Sequence, residues 1–448
     1  MINRKDVQPI VKGDKRMVRG WVMYDWSNSV YQLTIASAIF PIYYNTVTRT
    51  GDNFTVSFFG APVINTVLYS WAIAAAYLLV AIGSPLFSSM ADYTGRRKGF
   101  MRAFTFIGAT ACGALFFFDK DHIELGIIAF ALGTIGYGGS IVFYNSFLPV
   151  IAEPEQQDRI SARGYSMGYL GGVVLLLFNL LMIMKPDLFG IATDSSLPAR
   201  ISFVTVFLWW IGFSQITFSR LPKYTFRKRM IKDSVLTNGY RELRVIFGRV
   251  RKSFKLRMFL NGFFFMMMGV LTTMFMAATY GEKEMGLKED VLIPTILVIQ
   301  LVGVLGAWMF ARISEKIGNV RALIITIISW TLICIGAYFI SNTIQFVTAA
   351  FFIGIVMGGS QALARSTYSK MLPADTTDHT SYFSFYDVME KLATVAGTFS
   401  FGVIEAVTGS MRFSVLAITV FFLASLFFML LLYRRIRIEA GVLNTEYV

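Results

Sequence analysis

The sequence predicts an all-α membrane protein, with twelve transmembrane helices in two pseudo-symmetric six-helix bundles. Three observations predict it. Twelve apolar stretches of about 18 to 26 residues fill most of the 448 positions, and a bilayer crossing needs about 20 residues whose backbone bonds close internally. Lys and Arg crowd into alternate loops. A loop motif and a helix motif from the first half return in the second.

In chain order the spans are expected near 20–44, 63–87, 100–118, 123–148, 166–184, 201–219, 258–280, 291–312, 321–340, 343–370, 383–408 and 413–433. Residues 1–19 form a polar basic N-terminal segment, and 20–219 the first bundle. Residues 220–257 form a basic linker, 258–433 the second bundle, and 434–448 a tail. The composition agrees: 55% of residues are hydrophobic and only 15% charged, against about 25% charged in soluble domains.

The net charge of +14 is explained by its placement. The linker alone carries thirteen Lys and Arg, and further clusters surround Arg96, Arg312 and the N-terminus. Loops on the opposite side hold only Arg49, Lys120, Lys185, Arg200, Lys283, Lys288 and Arg412. This asymmetry puts both termini and the linker in the cytosol and brings basic loops to anionic lipid headgroups. Nucleic acid is not an expected partner, because the basic residues are scattered over separate loops without a reading module. Cys112 and Cys334 fall within spans and read as small buried hydrophobes, and His122 and His379 are placed in loops. No nucleophile–base pair, metal-ligand cluster or phosphate loop is evident. Neither enzymatic chemistry nor a cofactor is expected. The N-terminus shows no cleavable signal, and because no organelle signal appears the plasma (inner) membrane is the expected location.

The halves align weakly. Ala91-Asp92-Tyr93-Thr94-Gly95-Arg96-Arg97-Lys98 follows span 2, and Ser314-Glu315-Lys316-Ile317-Gly318-Asn319-Val320-Arg321 follows span 8. Superposing Gly95 on Gly318 sets Asp92 over Glu315 and Lys98 over Arg321. Gly138-Gly139-Ser140 in span 4 likewise matches Gly358-Gly359-Ser360 in span 10. Such parallel repeats place a substrate site between bundles near the membrane midplane.

The Asp92–Lys98 segment resembles the loop 2–3 motif of the major facilitator superfamily, departing from it at Ser88 and Tyr93. The resemblance implies that Asp92 bonds near the start of span 11 and latches the cytosolic side. Gly95 would permit the tight turn, and Arg96, Arg97 and Lys98 would anchor it at the lipid headgroups; Glu315 and Gly318 are the second-half counterparts. Plain positive-inside topology accounts for the cations alone.

Five further segments narrow the likeness: Tyr24-Asp25-Trp26-Ser27-Asn28-Ser29, Arg159-Ile160-Ser161-Ala162-Arg163-Gly164, Gly168-Tyr169-Leu170-Gly171-Gly172, Gly358 to Ser366, and Phe385-Tyr386-Asp387-Val388 with Lys391. Together they resemble the vacuole-effluxer-like family of that superfamily, from about residue 20 to about 410. Glu390 departs from the pattern, which has a small residue there. The resemblance implies export of amino acids or similar small solutes by alternating access. A proton-linked importer of sugars or organic acids, and a non-transporting receptor on the same fold, are the other readings.

Charged residues inside spans are the candidate substrate or coupling groups, because a carboxylate there costs about 2.5–3.5 kcal/mol on insertion scales. Asp25 lies about 8 Å into span 1 by helical rise, with Asn28 one turn on and Gln32 beyond it. It reads either as a proton or substrate-amine site or as part of the cytosolic gate. Asp387 and Lys391 share a helix face and pair naturally. Arg365 then either pairs with Glu390 across helices or holds a substrate carboxylate. With no histidine in a span, proton coupling would fall to Asp25, Asp387 or Glu390, and a uniporter needs none of them. The glycines of span 5 read as close helix packing, and Tyr137, Asn179, Thr272, Thr273 and Gln300 as polar mid-span positions.

Overall fold

Long apolar stretches leave the backbone one way to satisfy its polar groups, and the chain takes it, even across Pro85 and Pro294 inside two of the helices. In a computed structural model that describes residues 10–48, 55–192, 196–223, 235–373 and 375–445, nearly all of the chain is helical. Parts of the predicted N-terminal segment, linker and tail lie outside the described residues. Helices α1 (Lys15–Val30) and α2 (Phe40–Thr48) flank a π-helical stretch, Tyr31–Ile39. A hairpin of β1 (Thr55–Phe58) and β2 (Ala61–Ile64) comes next. It is followed by α3 (Asn65–Thr94), α4 (Arg97–Ala114), α5 (Ile123–Asn145), α6 (Leu148–Ile151), α7 (Pro154–Met184) and α8 (Leu197–Arg220). Then come α9 (Val235–Lys252), α10 (Phe254–Met285), α11 (Glu289–Ile317) and α12 (Asn319–Tyr338), and finally α13 (Thr343–Met371), α14 (His379–Thr408) and α15 (Met411–Thr445).

Ten helices among the described residues are long and apolar enough to cross a bilayer, as an integral multi-pass membrane protein requires. The expected spans 20–44 and 383–408 are helical but not among the ten: the π-helical stretch interrupts the first, and α14 carries Asp387, Glu390 and Lys391. His379, expected in a loop, is the first residue of α14.

Local chemistry sets the helix ends. Asp14 caps α1, its carboxylate accepting from the N–H groups of Arg16 and Met17 at 2.6 and 3.1 Å. Asn342 caps α13 through the Gln345 N–H at 2.9 Å, and Gln345 reaches back to the Ser341 N–H at 2.9 Å. Gly95 ends α3 at φ 69°, a left-handed conformation open to glycine at little cost.

Contacts divide the chain into two compact units. One comprises Met1–Ile151 with Met167–Gly239, the other Ala152–Ser166 with Tyr240–Val448. The first three to four turns of α7, to Ser166, therefore group with the C-terminal helices, although the rest of α7 groups with the N-terminal ones.

In the first unit, α7 meets α1 through glycines. A Cβ on Gly171 would lie 2.6 Å from the Trp26 carbonyl oxygen and 3.2 Å from its ring. Gly168 and Gly172 approach Ser29 and Leu33 in the same way, so this ridge is a packing surface. Gly171→Ala is expected to cost about 1–3 kcal/mol by overpacking, read as a lower thermal midpoint of the purified protein in detergent. Aromatic stacking fills the interior, with Phe40 on Phe130 at 4.4 Å and Trp21 on Tyr144 at 4.4 Å.

The second unit is built alike. Gly358 lies against the backbone of Gly303 and Gly359 against the ring of Phe310, while Trp330 stacks on Phe422 at 5.5 Å. Apolar side chains such as Leu78, Ile82, Leu305 and Val420 are left exposed, as a lipid-facing surface would be.

The hairpin was not anticipated. Its two-residue turn has positive φ at both Phe59 and Gly60 (49° and 82°), and the Phe59 N–H donates to a Glu124 carboxylate oxygen at 2.9 Å.

Candidate functional site

Asp25 sits on α1 with 5% of its surface exposed. Tyr144, at the end of α5, donates its hydroxyl to Asp25 Oδ2 at 2.6 Å. The ring of Tyr144 is in turn held by stacking on Trp21, whose indole N–H donates to the Tyr144 carbonyl at 2.9 Å. Tyr24 shares a hydrogen bond with Thr105 at 2.6 Å and packs beside Tyr144. A buried carboxylate is thus fixed by a phenol and two further aromatic rings, an arrangement that desolvates it while keeping it hydrogen-bonded. Asn28, on the same face, is buried; its Oδ1 accepts from Ser29 at 3.4 Å, and its Nδ2 has no acceptor among the described residues. Gln32 is half-exposed within the π-helical stretch. π-helical turns recur at functional sites, and this one begins six residues past Asp25.

At the turn between α3 and α4, Arg97 Nε donates to Asp92 Oδ1 at 2.9 Å with both side chains almost fully buried. Lys98 donates to the carbonyls of Phe218 and Leu221 at 2.9 and 2.7 Å and so caps the end of α8, where the helix dipole favours a cation. Arg96 is exposed.

The corresponding turn in the other unit has different partners. Glu315 receives a two-pronged interaction from Arg159, Nε to Oε1 and Nη2 to Oε2, each 3.0 Å. Gly318 joins α11 to α12 at φ 88°. Beside it lies Asp158, which sequence reasoning missed. Its carboxylate is buried and accepts from Lys370 Nζ at 2.7 Å, Ser314 Oγ at 2.9 Å and Asn319 Nδ2 at 2.6 Å. Lys370 also donates to Asn319 Oδ1 at 3.0 Å, which closes the network.

Deeper in the same unit is a charged cluster from three helices. Arg365 on α13 is 2% exposed. Its Nε donates to Ser161 Oγ at 2.9 Å and its Nη2 to the Ser161 carbonyl at 2.8 Å, and its guanidinium lies 4.1 Å from the centre of the Tyr165 ring. Ser161 donates onward to the Ala362 carbonyl at 2.7 Å. On α14, Lys391 Nζ donates to Asp387 at 2.8 Å, the helix-face pair expected from spacing, and to Glu390 at 3.4 Å. Asp387 and Lys391 are buried, Glu390 half-buried. Arg365, Asp387 and Lys391 are thus held within protein, with Glu390 half-buried beside Lys391.

Besides Asp158, sequence reasoning gave no role to Tyr144, Tyr165 or Tyr386. The first two adjoin residues it did single out. Only their being aromatic beside a charge signalled them. Of the polar mid-span positions, Asn179 accepts from Thr205 at 2.9 Å and Thr272 is buried.

The chain is 26% identical to the uncharacterized MFS-type transporter YxiO of Bacillus subtilis (strain 168), a match covering 92% of this chain and 94% of that protein. It is 21% identical to autophagy-related protein 22-2 of Aspergillus oryzae, over 78% of this chain and 72% of that one. Among solved structures, the human organic anion transporter MFSD10 superposes with a TM-score of 0.73 at 14% identity, covering 94% of this chain and all of the other. The fucose:proton symporter FucP of E. coli gives 0.68 at 12% identity, covering 93% and 97%. These likenesses establish the major facilitator fold. Residues 13–440 match the family described as "Vacuole effluxer Atg22 like", and the chain belongs to that family.

Proposed function

We propose that the protein is a secondary active transporter that works by alternating access and moves amino acids or similar small solutes outward. In this reading the chain crosses the plasma (inner) membrane twelve times, keeps both termini in the cytosol and rests its basic loops on anionic headgroups. One observation carries the proposal. Four ionic residues of the spans, Asp25, Arg365, Asp387 and Lys391, are at most 5% exposed, so they are held within protein and away from acyl chains; Glu390 is half-buried. Keeping such groups in a membrane is costly, and proteins retain them chiefly where solutes or protons pass. Membership of a family described as effluxers supports the direction. Asp92, Gly95, Arg96, Arg97 and Lys98, with Glu315 and Gly318, form the cytosolic gate in this reading.

Asp25, aided by Asp387 and Glu390, is the proposed proton-coupling group. Purified protein in proteoliposomes loaded with labelled L-amino acids should export them, faster with an imposed proton gradient. Asp25→Asn should abolish the gradient-driven component, a fall of about tenfold or more, and leave downhill flux measurable. Native flux indifferent to an uncoupler would remove the coupling, and absence of flux for any solute would favour a receptor.

A further inference from the structure

Tyr386 is a buried phenol with an unusual setting. Its ring is fixed on one side by Phe263, stacked at 4.1 Å, and flanked by Tyr368 at 5.3 Å. The residue is 2% exposed, yet its hydroxyl has no hydrogen-bond partner among the described residues. It lies within electrostatic reach of Tyr165, Glu390, Arg365 and Asp387. Leaving a buried hydroxyl unmet costs about 1–3 kcal/mol, and natural interiors rarely do so without a water, ion or ligand to complete it.

Other buried phenols of the chain are treated differently. Tyr368 donates to the Tyr382 carbonyl at 2.6 Å, Tyr144 to Asp25, and Tyr24 shares its bond with Thr105. Tyr386 stands apart from them, next to Asp387 in the chain and within electrostatic reach of Arg365 and Glu390. Its ring position is set by packing, so the hydroxyl is held in place whether or not a ligand is present.

We infer that the Tyr386 hydroxyl is a recognition group for the cargo, donating to the carboxylate of a small solute held beside the Arg365 guanidinium. The inference rests on the transport reading and specifies which atom of the charged cluster meets which part of the solute. An O–H donor beside a guanidinium suits an anionic acceptor, and the carboxylates of Asp387 and Glu390 suit a cationic portion of the same molecule. The cluster thereby selects a solute with a carboxylate over its decarboxylated amine.

Tyr386→Phe removes the oxygen and keeps the ring on Phe263. The test measures flux of labelled L-amino acids and of the matching decarboxylated amines in proteoliposomes, with thermal midpoints of both proteins recorded in detergent. The expected result is a KM for amino acids raised about tenfold or more, a turnover within about twofold, unchanged amine flux and an unchanged midpoint without solute. An unchanged amino-acid KM in the variant overturns the inference and leaves the transport reading intact. So does a native protein that moves amines as readily as amino acids. A native protein inert toward both classes overturns the transport reading, and the inference with it. Should the variant's midpoint fall, the midpoint rise produced in each protein by added amino acids replaces flux. An equal rise in both then overturns the inference.

Discussion

Replacing Asp158 by alanine is expected to destabilise the C-terminal unit by about 1–3 kcal/mol, because it removes a buried carboxylate that three donors share and leaves a partly buried lysine without its counter-charge. Lys370 Nζ, Ser314 Oγ and Asn319 Nδ2 all converge on this carboxylate within 2.9 Å. Ser314 can still donate to the Ala311 carbonyl and Lys370 to Asn319, but the ammonium would face no negative charge. The check is thermal denaturation of purified variants in detergent. Asp158→Asn keeps an acceptor of the same shape and should lose less. The double variant Asp158→Ala with Lys370→Met should regain part of the loss, since removing both charges is milder than stranding one. If single and double variants melt together, the pair is not what holds these segments in place.

Arg365→Ala is expected to lower transport more than tenfold while leaving the protein monodisperse. Arg365 supplies one of the two cations that balance Asp387 and Glu390, and it grips Ser161 through two separate nitrogens while stacking on Tyr165. Without it the cluster carries an excess of negative charge, and an anionic group on a solute would be repelled. Arg365→Lys restores the charge but neither the fork nor the flat face, so it should recover only a minor part of the flux. Initial rates in proteoliposomes, normalised to incorporated protein, decide the matter. Near-native flux in the lysine variant would show that charge alone suffices.

What the sequence made legible follows from the range of the interactions involved. Apolar length places the helices, because a bilayer imposes its own thickness. It does not place their ends, and α7 begins at Pro154, well before the apolar stretch expected from 166. The pair Asp387–Lys391 was readable because a helix brings fourth neighbours together. Asp158 was not, since its partners lie between residues 314 and 370, and nothing near position 158 distinguishes it from an ordinary loop acid. Arg365 was visible as a buried cation, whereas its anchor Ser161 depends on a long-range contact. The hairpin escaped for another reason. Its two strands are four residues each, too short for alternation to stand out beside a long apolar run.

The π-helical stretch Tyr31–Ile39 has one more consequence. Its wider coil holds more residues per turn than the α-helices on either side, so it sets the azimuth of α1 against that of α2. Asp25 is moored to Tyr144 before it, and Tyr44 to the Asn65 carbonyl after it. Rewinding the stretch to α pitch would turn one mooring about the axis relative to the other, so the Asp25–Tyr144 bond could be kept only by releasing Tyr44 from Asn65.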